Sequence, residues 1–419
     1  MNFTSQSSRS IDVAIVGGGP AGAALATLLE RAGYHCAIFE AGVFPRYHIG
    51  ESLIPHTFGI LDRLGLLPKL RISPYPEKYS VRFVSPTGKE STPFYFSETI
   101  DGEGARTWQV ERSSFDQLCL SHAREQGADV RMCAAVEQVL FDGARATGVR
   151  VRPSEGDAYD MAARVVVDAS GRSTVLGEQL GLKSSVPGLR KASLWSYYKG
   201  GRRLDGIDAG ETTIFMIRNR GWFWYIPLPD DVVSVGVVAS PDELFSGTQE
   251  KETIYAREVY ACGPLMDRLR TAKRCAGVYG GPRELAYFNR QTSGDGWVMV
   301  GDARAFLDPI YSSGLYLALA SAELAADSIR QALEANDLSA AKLGAFEARL
   351  MAGVDVIRRL IHAFYDPHFS FGEFVTRFPA QRRALVDCLV GDVLKDMSAF
   401  TAALEQATPP PPSLAVASG

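Results

Sequence analysis

The sequence predicts an α/β fold: a Rossmann-like parallel sheet, a separate antiparallel sheet and a C-terminal helical region. Three observations support this. Asp12–Val16 is a short apolar run of strand type, followed by Gly17, Gly19 and Gly22 in G-x-G-x-x-G spacing and by the strongly helical Ala23–Ala32. Residues 192–240 concentrate β-forming residues in four segments, Leu194–Tyr198, Thr212–Ile217, Trp222–Ile226 and Val232–Val238. From Gly314 onward the pattern turns helical, at Gly314–Leu333, Ala340–Arg359 and 380–404.

The first unit reads as a dinucleotide-binding start. Gly17 permits a tight turn, and Gly19 lets the backbone approach a pyrophosphate. Gly22 lets helix and strand pack, with Ala21 beside it at the helix N-terminus. The second strand, Cys36–Phe39, ends at Glu40, where a carboxylate can accept from a ribose 2′-OH. An amphipathic helix is predicted over 57–70, and strands over Lys78–Val84 and Phe94–Phe96. Arg112–Gly127 reads as a helix, and Val130–Asp142, Ala146–Arg152 and Asp160–Val167 as a strand series. Val165–Arg172 reads as a strand ending in the small residues of Asp168-Ala-Ser-Gly171, as if back beside the nucleotide, and Trp297–Ala303 as another buried strand ending in Gly301-Asp302. The implied organisation is 10–190 and 291–335 as one nucleotide-binding domain, 191–290 as a covering sheet, 336–407 as a helical region, and 408–419 as a disordered proline-rich tail.

Composition excludes several classes. A net charge of −4 gives no general electrostatic reason to bind nucleic acid or an anionic membrane. No apolar run reaches transmembrane length, so no integral membrane segment is expected. Met1–Ser10 is polar and unlike a signal peptide. The six cysteines form no C-x-x-C pair, which predicts free thiols, no metal site and a cytoplasmic setting.

Taken together, the glycine unit, Asp168-Ala-Ser-Gly171 and Gly301-Asp302 resemble the FAD-binding domain of aromatic hydroxylases and flavin-dependent halogenases. Two stretches are similar to halogenase signatures: Trp222-Phe-Trp224-Tyr-Ile-Pro227 to W-x-W-x-I-P, and Phe306-Leu-Asp-Pro309-Ile-Tyr-Ser312-Ser313-Gly314 to F-x-x-P-x-x-S-x-G. Read from residues alone, paired tryptophans in a strand are sheet packing as readily as function.

The resemblance implies an FAD-dependent halogenase. Reduced FAD, supplied by a separate flavin reductase, and O2 would oxidise chloride or bromide to hypohalous acid. A lysine would then present the oxidant to an electron-rich aromatic, a phenol or pyrrole, either free or tethered to a carrier protein. It further implies FAD contacts at Gly17, Gly19, Ala21, Gly22, Glu40, Arg46, Ser52, Arg112, Asp302, Pro309 and Gly314. Halide would bind at Ser312, Ser313 and Gly314, and Trp222, Trp224 and Pro227 would wall the oxidant's tunnel. Lys78, in Lys78-Tyr79-Ser80, matches the family's lysine, with Ser80 where glycine is usual. Its bland alternative is a solvated strand-end lysine. Tryptophan halogenases carry a glutamate where this chain has Tyr311, which argues against tryptophan as substrate. The aromatic run Phe364–Phe374 reads equally as a lid or as helix packing. Rival readings are an aromatic hydroxylase of the same fold, a lipid-acting flavin reductase, and a flavin-binding protein without chemistry.

Overall fold

The computed structural model describes residues 11–217, 221–247, 250–281 and 285–414. The polar leader and residues 415–419 therefore lie outside the described residues. The nucleotide-binding core is a six-stranded sheet in the spatial order Ser293–Gly294, Trp297–Met299, Val165–Asp168, Val13–Val16, Cys36–Phe39, Asp129–Arg131. All pairings are parallel except at the Ser293–Gly294 edge, with Val13 opposite both Val165 and Cys36. Val13–Val16 and Cys36–Phe39 are buried at every position, as a parallel sheet covered on both faces requires.

The helix Pro20–Arg31 starts with proline in its first turn, where the missing N–H costs nothing. A Cβ on Gly22 would lie 2.1 Å from the Gly17 carbonyl oxygen, so only glycine lets this helix seat against its own entry turn. The long helix Ser313–Glu334 packs on Pro20–Arg31. Small residues at Ala23, Ala24 and Ala26, and at Ala322, Ala325 and Ala326, let the two axes approach.

The covering layer is larger than expected and not purely antiparallel. Its order is Lys273–Arg274, Ala192–Lys199, Val232–Ala239, Trp222–Pro227, Thr212–Met216, Ser80–Val84, Phe94–Tyr95. Thr212–Met216 runs parallel to Ser80–Val84, with Thr212 opposite Val81. Pairing across about 130 residues of chain has no local signature, because parallel partners need a long crossover.

Helix lengths also differ from the periodicity reading. The 57–70 segment divides into Thr57–Arg63 and Leu67–Arg71, broken where Gly65 takes a positive φ and Pro68 opens the second helix. Ala340–Arg359 divides at Gly344 into Ala340–Leu343 and Glu347–Tyr365. The 380–404 segment becomes Arg382–Val390, closed by Gly391 at φ 93°, and Ser398–Ala407. The predicted strand 130–142 turns at Cys133, leaving Asp129–Arg131 in the parallel sheet and Ala134–Asp142 in a separate three-stranded sheet.

The tail is attached rather than loose over 408–414. Thr408 Oγ1 donates to Asp366 at 2.5 Å, Arg358 Nη1 donates to the Pro412 carbonyl at 2.7 Å, and Leu414 packs on the core. Phe364, Phe369 and Phe374 are buried, Phe364 and Phe369 each against Phe371, and Phe374 against Phe369 and Phe400, so the aromatic run is core packing and not a lid.

Gly22→Ala should destabilise the protein by about 1–3 kcal/mol, because the added methyl meets backbone rather than a yielding side chain. Denaturant unfolding of the two proteins checks this, with an unchanged midpoint as the contrary outcome.

Candidate functional site

Three confluent cavities lie between the parallel sheet and the covering sheet. The first, of about 620 Å³, runs along the C-terminal ends of the parallel strands, past Gly17, Gly19, Ala21, Glu40, Arg46, Arg112, Arg172, Asp302 and Gly314. This is the crevice in which open α/β sheets bind dinucleotides. No side chain caps the helix at Gly19, so its first N–H groups remain available to a phosphate. Arg46 reaches into the same space. Glu40 is already engaged: Oε2 accepts from the Gly18 N–H and Oε1 from the Gly42 N–H, both at 2.8 Å. It closes the glycine loop and still presents lone pairs to the cavity.

Asp302 lines both this cavity and the next. Burial pushes its carboxyl up to about 6, against the pull of Arg172 and Arg112. A strand-end carboxylate facing a polyol is what a ribityl chain would satisfy. The uncapped helix, the glycine turn that no Cβ could enter and this carboxylate fit FAD. Arg172 belongs to the same wall, its guanidinium held between the Tyr287 and Phe306 rings at 5.1 and 5.0 Å. Gly22 does not line the cavity, since it faces its own turn, and its part in binding is to permit the turn.

The second cavity, of about 390 Å³, has an apolar wall including Ile214, Trp222, Trp224, Ile226, Phe306 and Leu315. It is also lined by Ser52, Pro309, Ser312 and Gly314, together with Glu51, Asp302 and Asp308. Trp222 and Trp224 are fixed by their indole N–H groups, which donate to Tyr365 Oη (2.9 Å) and Ser234 Oγ (3.0 Å). The Trp224 ring lies flat over Gly236, directly across the strand, where a Cβ would come within 2.1 Å of it. Ser312 sits at φ 54° and opens the helix Ser313–Glu334 toward the cavity. Ser313 is buried and, like Pro227, lines none of the three cavities.

Lys78 is not a solvated lysine. It is 1 % exposed, on a two-residue strand, and Nζ donates to Ser52 Oγ at 2.8 Å and to the Leu53 carbonyl at 3.2 Å. Burial lowers its pKa to about 7, with Glu211 opposing. Contrary to a tunnel-wall placement, Lys78 lines none of the three cavities. Ser52, which also meets Thr212 Oγ1 at 3.1 Å, stands between the amine and the cavity. Ser52 thus lines the second cavity and not the phosphate cavity.

The loop after the glycine unit brings two further residues to these cavities. His48 borders all three cavities and is held neutral, its pKa lowered to about 4 by burial and by Arg112. Glu51 is buried, accepts from Tyr197 Oη at 2.7 Å, and has its pKa pushed up to about 7 by desolvation. A third, smaller cavity of about 300 Å³ lies on the other side of Tyr47, His48 and Glu51. The only available signal was their place in the loop after the glycine unit. Tyr311, by contrast, turns away: it is buried and its hydroxyl donates to the Leu360 carbonyl at 3.3 Å. Among the described residues, no group of three His, Cys, Asp or Glu is placed to hold a metal ion, and no helix is long and apolar enough to cross a membrane.

Fold and crevice define an FAD-binding protein of the α/β class, and residues 10–209 match the family model described as an FAD binding domain. The chain is 32 % identical to a tryptophan 2-halogenase of Chondromyces crocatus, over 85 % of this chain and 68 % of the relative. It is 29 % identical to a 1H-pyrrole-2-carbonyl-[peptidyl-carrier protein] chlorinase of Pseudomonas fluorescens, over 92 % and 90 %. The solved structure of the myxobacterial chondrochloren halogenase CndH superposes with a TM-score of 0.80 at 30 % identity, covering 95 % of this chain and 97 % of that one. The protein belongs to the flavin-dependent halogenases, FAD-dependent oxidoreductases. The hydroxylase and lipid-reductase readings are accordingly set aside.

Two outcomes follow from this geometry. Asp302→Ala should weaken FAD binding by about 10- to 100-fold, because hydrogen bonds to a charged acceptor contribute about 1.5–3 kcal/mol; flavin fluorescence titration measures it. Stability should rise with pH between about 7 and the ordinary lysine value of 10.5, because the unfolded Lys78 amine stays protonated there while the folded one does not. Lys78→Met should flatten that rise. Denaturation midpoints of both proteins at about pH 7 and about pH 9 decide it.

Proposed function

We propose that this protein transfers chlorine or bromine from the halide to an electron-rich aromatic ring, a phenol or a pyrrole, with a carrier-tethered pyrrole favoured. The observation that carries this reading is that the Trp222 and Trp224 indoles and the helix start at Ser312 and Gly314 line one cavity. The pyrrole form is supported by the carrier-linked substrate in the name of the Pseudomonas relative. Against it stands the tryptophan halogenase, which is somewhat more identical over a shorter span. Tyr311 supports the pyrrole or phenol side, since it offers no carboxylate to the cavity.

When bound in its reduced form, FAD supplies the electrons that activate O2 for oxidation of the halide. The reduced form comes from a separate flavin reductase, in a cytoplasmic setting consistent with six free cysteines. The remaining steps belong to the chain. A helix N-terminus at Ser312, Ser313 and Gly314 attracts the halide through its N–H groups and dipole. The indole wall excludes water, which lengthens the life of the oxidant and strengthens every polar contact inside. Lys78, with a pKa near neutrality, can donate to the oxidant when protonated or react as an amine when neutral, acting through or past Ser52.

The direct test is an incubation with flavin reductase, NADH, FAD, O2 and bromide, with free and carrier-loaded phenols and pyrroles, read by mass spectrometry. A bromine isotope doublet on a product is expected. Oxygen addition regardless of bromide, or hydrogen peroxide alone, would overturn the reading. Lys78→Ala should lower halogenation by about 100-fold or more while FAD binding persists. Halogenation surviving in that variant would remove the lysine from the mechanism.

A further inference from the structure

The cavity beneath the indole wall needs something to orient a flat aromatic ring, because apolar walls hold such a ring without fixing its edge. Three carboxylates line it: Glu51, Asp302 and Asp308. Asp302 also lines the phosphate-side cavity and faces Arg112 and Arg172, which gives it to the cofactor. Glu51 Oε1 is taken by Tyr197, the Ser234 hydroxyl serves the same carboxyl, and Oε2 is sealed from the cavity. Asp308 remains.

Its surroundings are built. Asp308 is 4 % exposed. Oδ1 accepts from the Ile310 N–H at 3.0 Å, and the Tyr365 hydroxyl straddles both oxygens at 3.2 Å and 3.0 Å. Tyr365 is itself fixed from behind by the Trp222 indole N–H, and Lys191 Nζ sits 3.8 Å above its ring. Lys191 comes no closer to Asp308 than a field contact, since no ion pair joins them among the described residues. The one phenolic proton cannot saturate both oxygens. An ionised carboxylate offers about four acceptor sites, so Oδ2 keeps accepting capacity.

We propose that Asp308 selects and orients the substrate: its carboxylate accepts a hydrogen bond from an N–H or O–H borne by the aromatic ring itself, as in a pyrrole or an unsubstituted phenol. This deepens the halogenation reading by naming the group on the ring that is recognised. The same donor makes the ring electron-rich, so one contact serves both binding and the choice of a reactive substrate. A ring whose donor is methylated leaves a desolvated carboxylate facing carbon, which is where discrimination by hydrogen-bonding sites arises.

The test uses binding alone, on the FAD-loaded protein in its oxidised form without halide, so it does not depend on whether halogenation occurs. Pyrrole is compared with N-methylpyrrole, and phenol with anisole, by calorimetry or by quenching of flavin fluorescence. The native protein should prefer the donor-bearing member of each pair by about 10- to 100-fold. In Asp308→Asn, the Ile310 N–H keeps the amide oxygen at Oδ1, so the amide nitrogen replaces Oδ2 and presents a donor instead of an acceptor. The preference should vanish or invert. Tyr365→Phe removes the competing phenolic donor, together with the acceptor of the Trp222 indole N–H, but leaves the Asp308 carboxylate in place and should keep the preference, which guards against misfolding of the first variant. Equal binding within each pair by the native protein, a preference that survives Asp308→Asn, or no binding of any of the four rings overturns the proposal. Loss of FAD from Asp308→Asn with an unchanged ring preference would assign Asp308 to the cofactor and overturn it equally.

Discussion

The buried pair of Arg112 and Asp116 holds the site together. Arg112 donates to both Asp116 oxygens, at 2.7 and 2.9 Å, and with Nη1 to the carbonyls of Ile49 and Gly50. It thereby ties the loop after the glycine unit to the first turn of the helix Arg112–Glu125, and it borders all three cavities. A buried pair of this kind adds little net stability over an apolar replacement, but loss of one partner leaves an uncompensated charge inside the protein. Its value is positional: Tyr47, His48, Glu51 and Ser52 take their places from that loop.

The loop joins two layers that would otherwise only face each other. Ser52 bridges to Gln109 on one side and meets Thr212 of the covering sheet on the other, while the Lys78 amine closes the group from below. Gln109 Nε2 adds bonds to the Gly210 carbonyl and Thr212 Oγ1, both at 2.8 Å. A lysine inside this knot has its charged form penalised by burial, and the hydrogen bonds to Ser52 and Leu53 offset only part of that cost. Such a group costs stability that a core built for folding alone would not give up, which supports a functional reason for its place.

A second polar thread crosses the indole wall. Trp222, Tyr365 and Asp308 form a chain of donors that ends on a carboxylate, linking the covering sheet, the helix Glu347–Tyr365 and the loop before Ser313. Each indole in the signature thus has two parts. Its face supplies dry surface, and its N–H fixes the rotamer by bonding a partner that only the fold brings near.

The sequence by itself determined the strand–turn–helix unit, its glycines, the strand-end residues Glu40 and Asp302, and the two signature stretches. All of these are written in local spacing, where period and turn chemistry act within a few residues of one another. Only the tertiary structure decided what lies between Lys78 and the cavity, that Thr212–Met216 pairs in parallel with Ser80–Val84, and that Phe364–Phe374 is core. It likewise turned Tyr311 toward Leu360 and left Asp308, three residues earlier on the same loop, on the cavity wall. The physical reason is the same in each case. Which face of a loop or strand meets solvent, cavity or core is set by partners remote in the chain, and no local pattern encodes those partners.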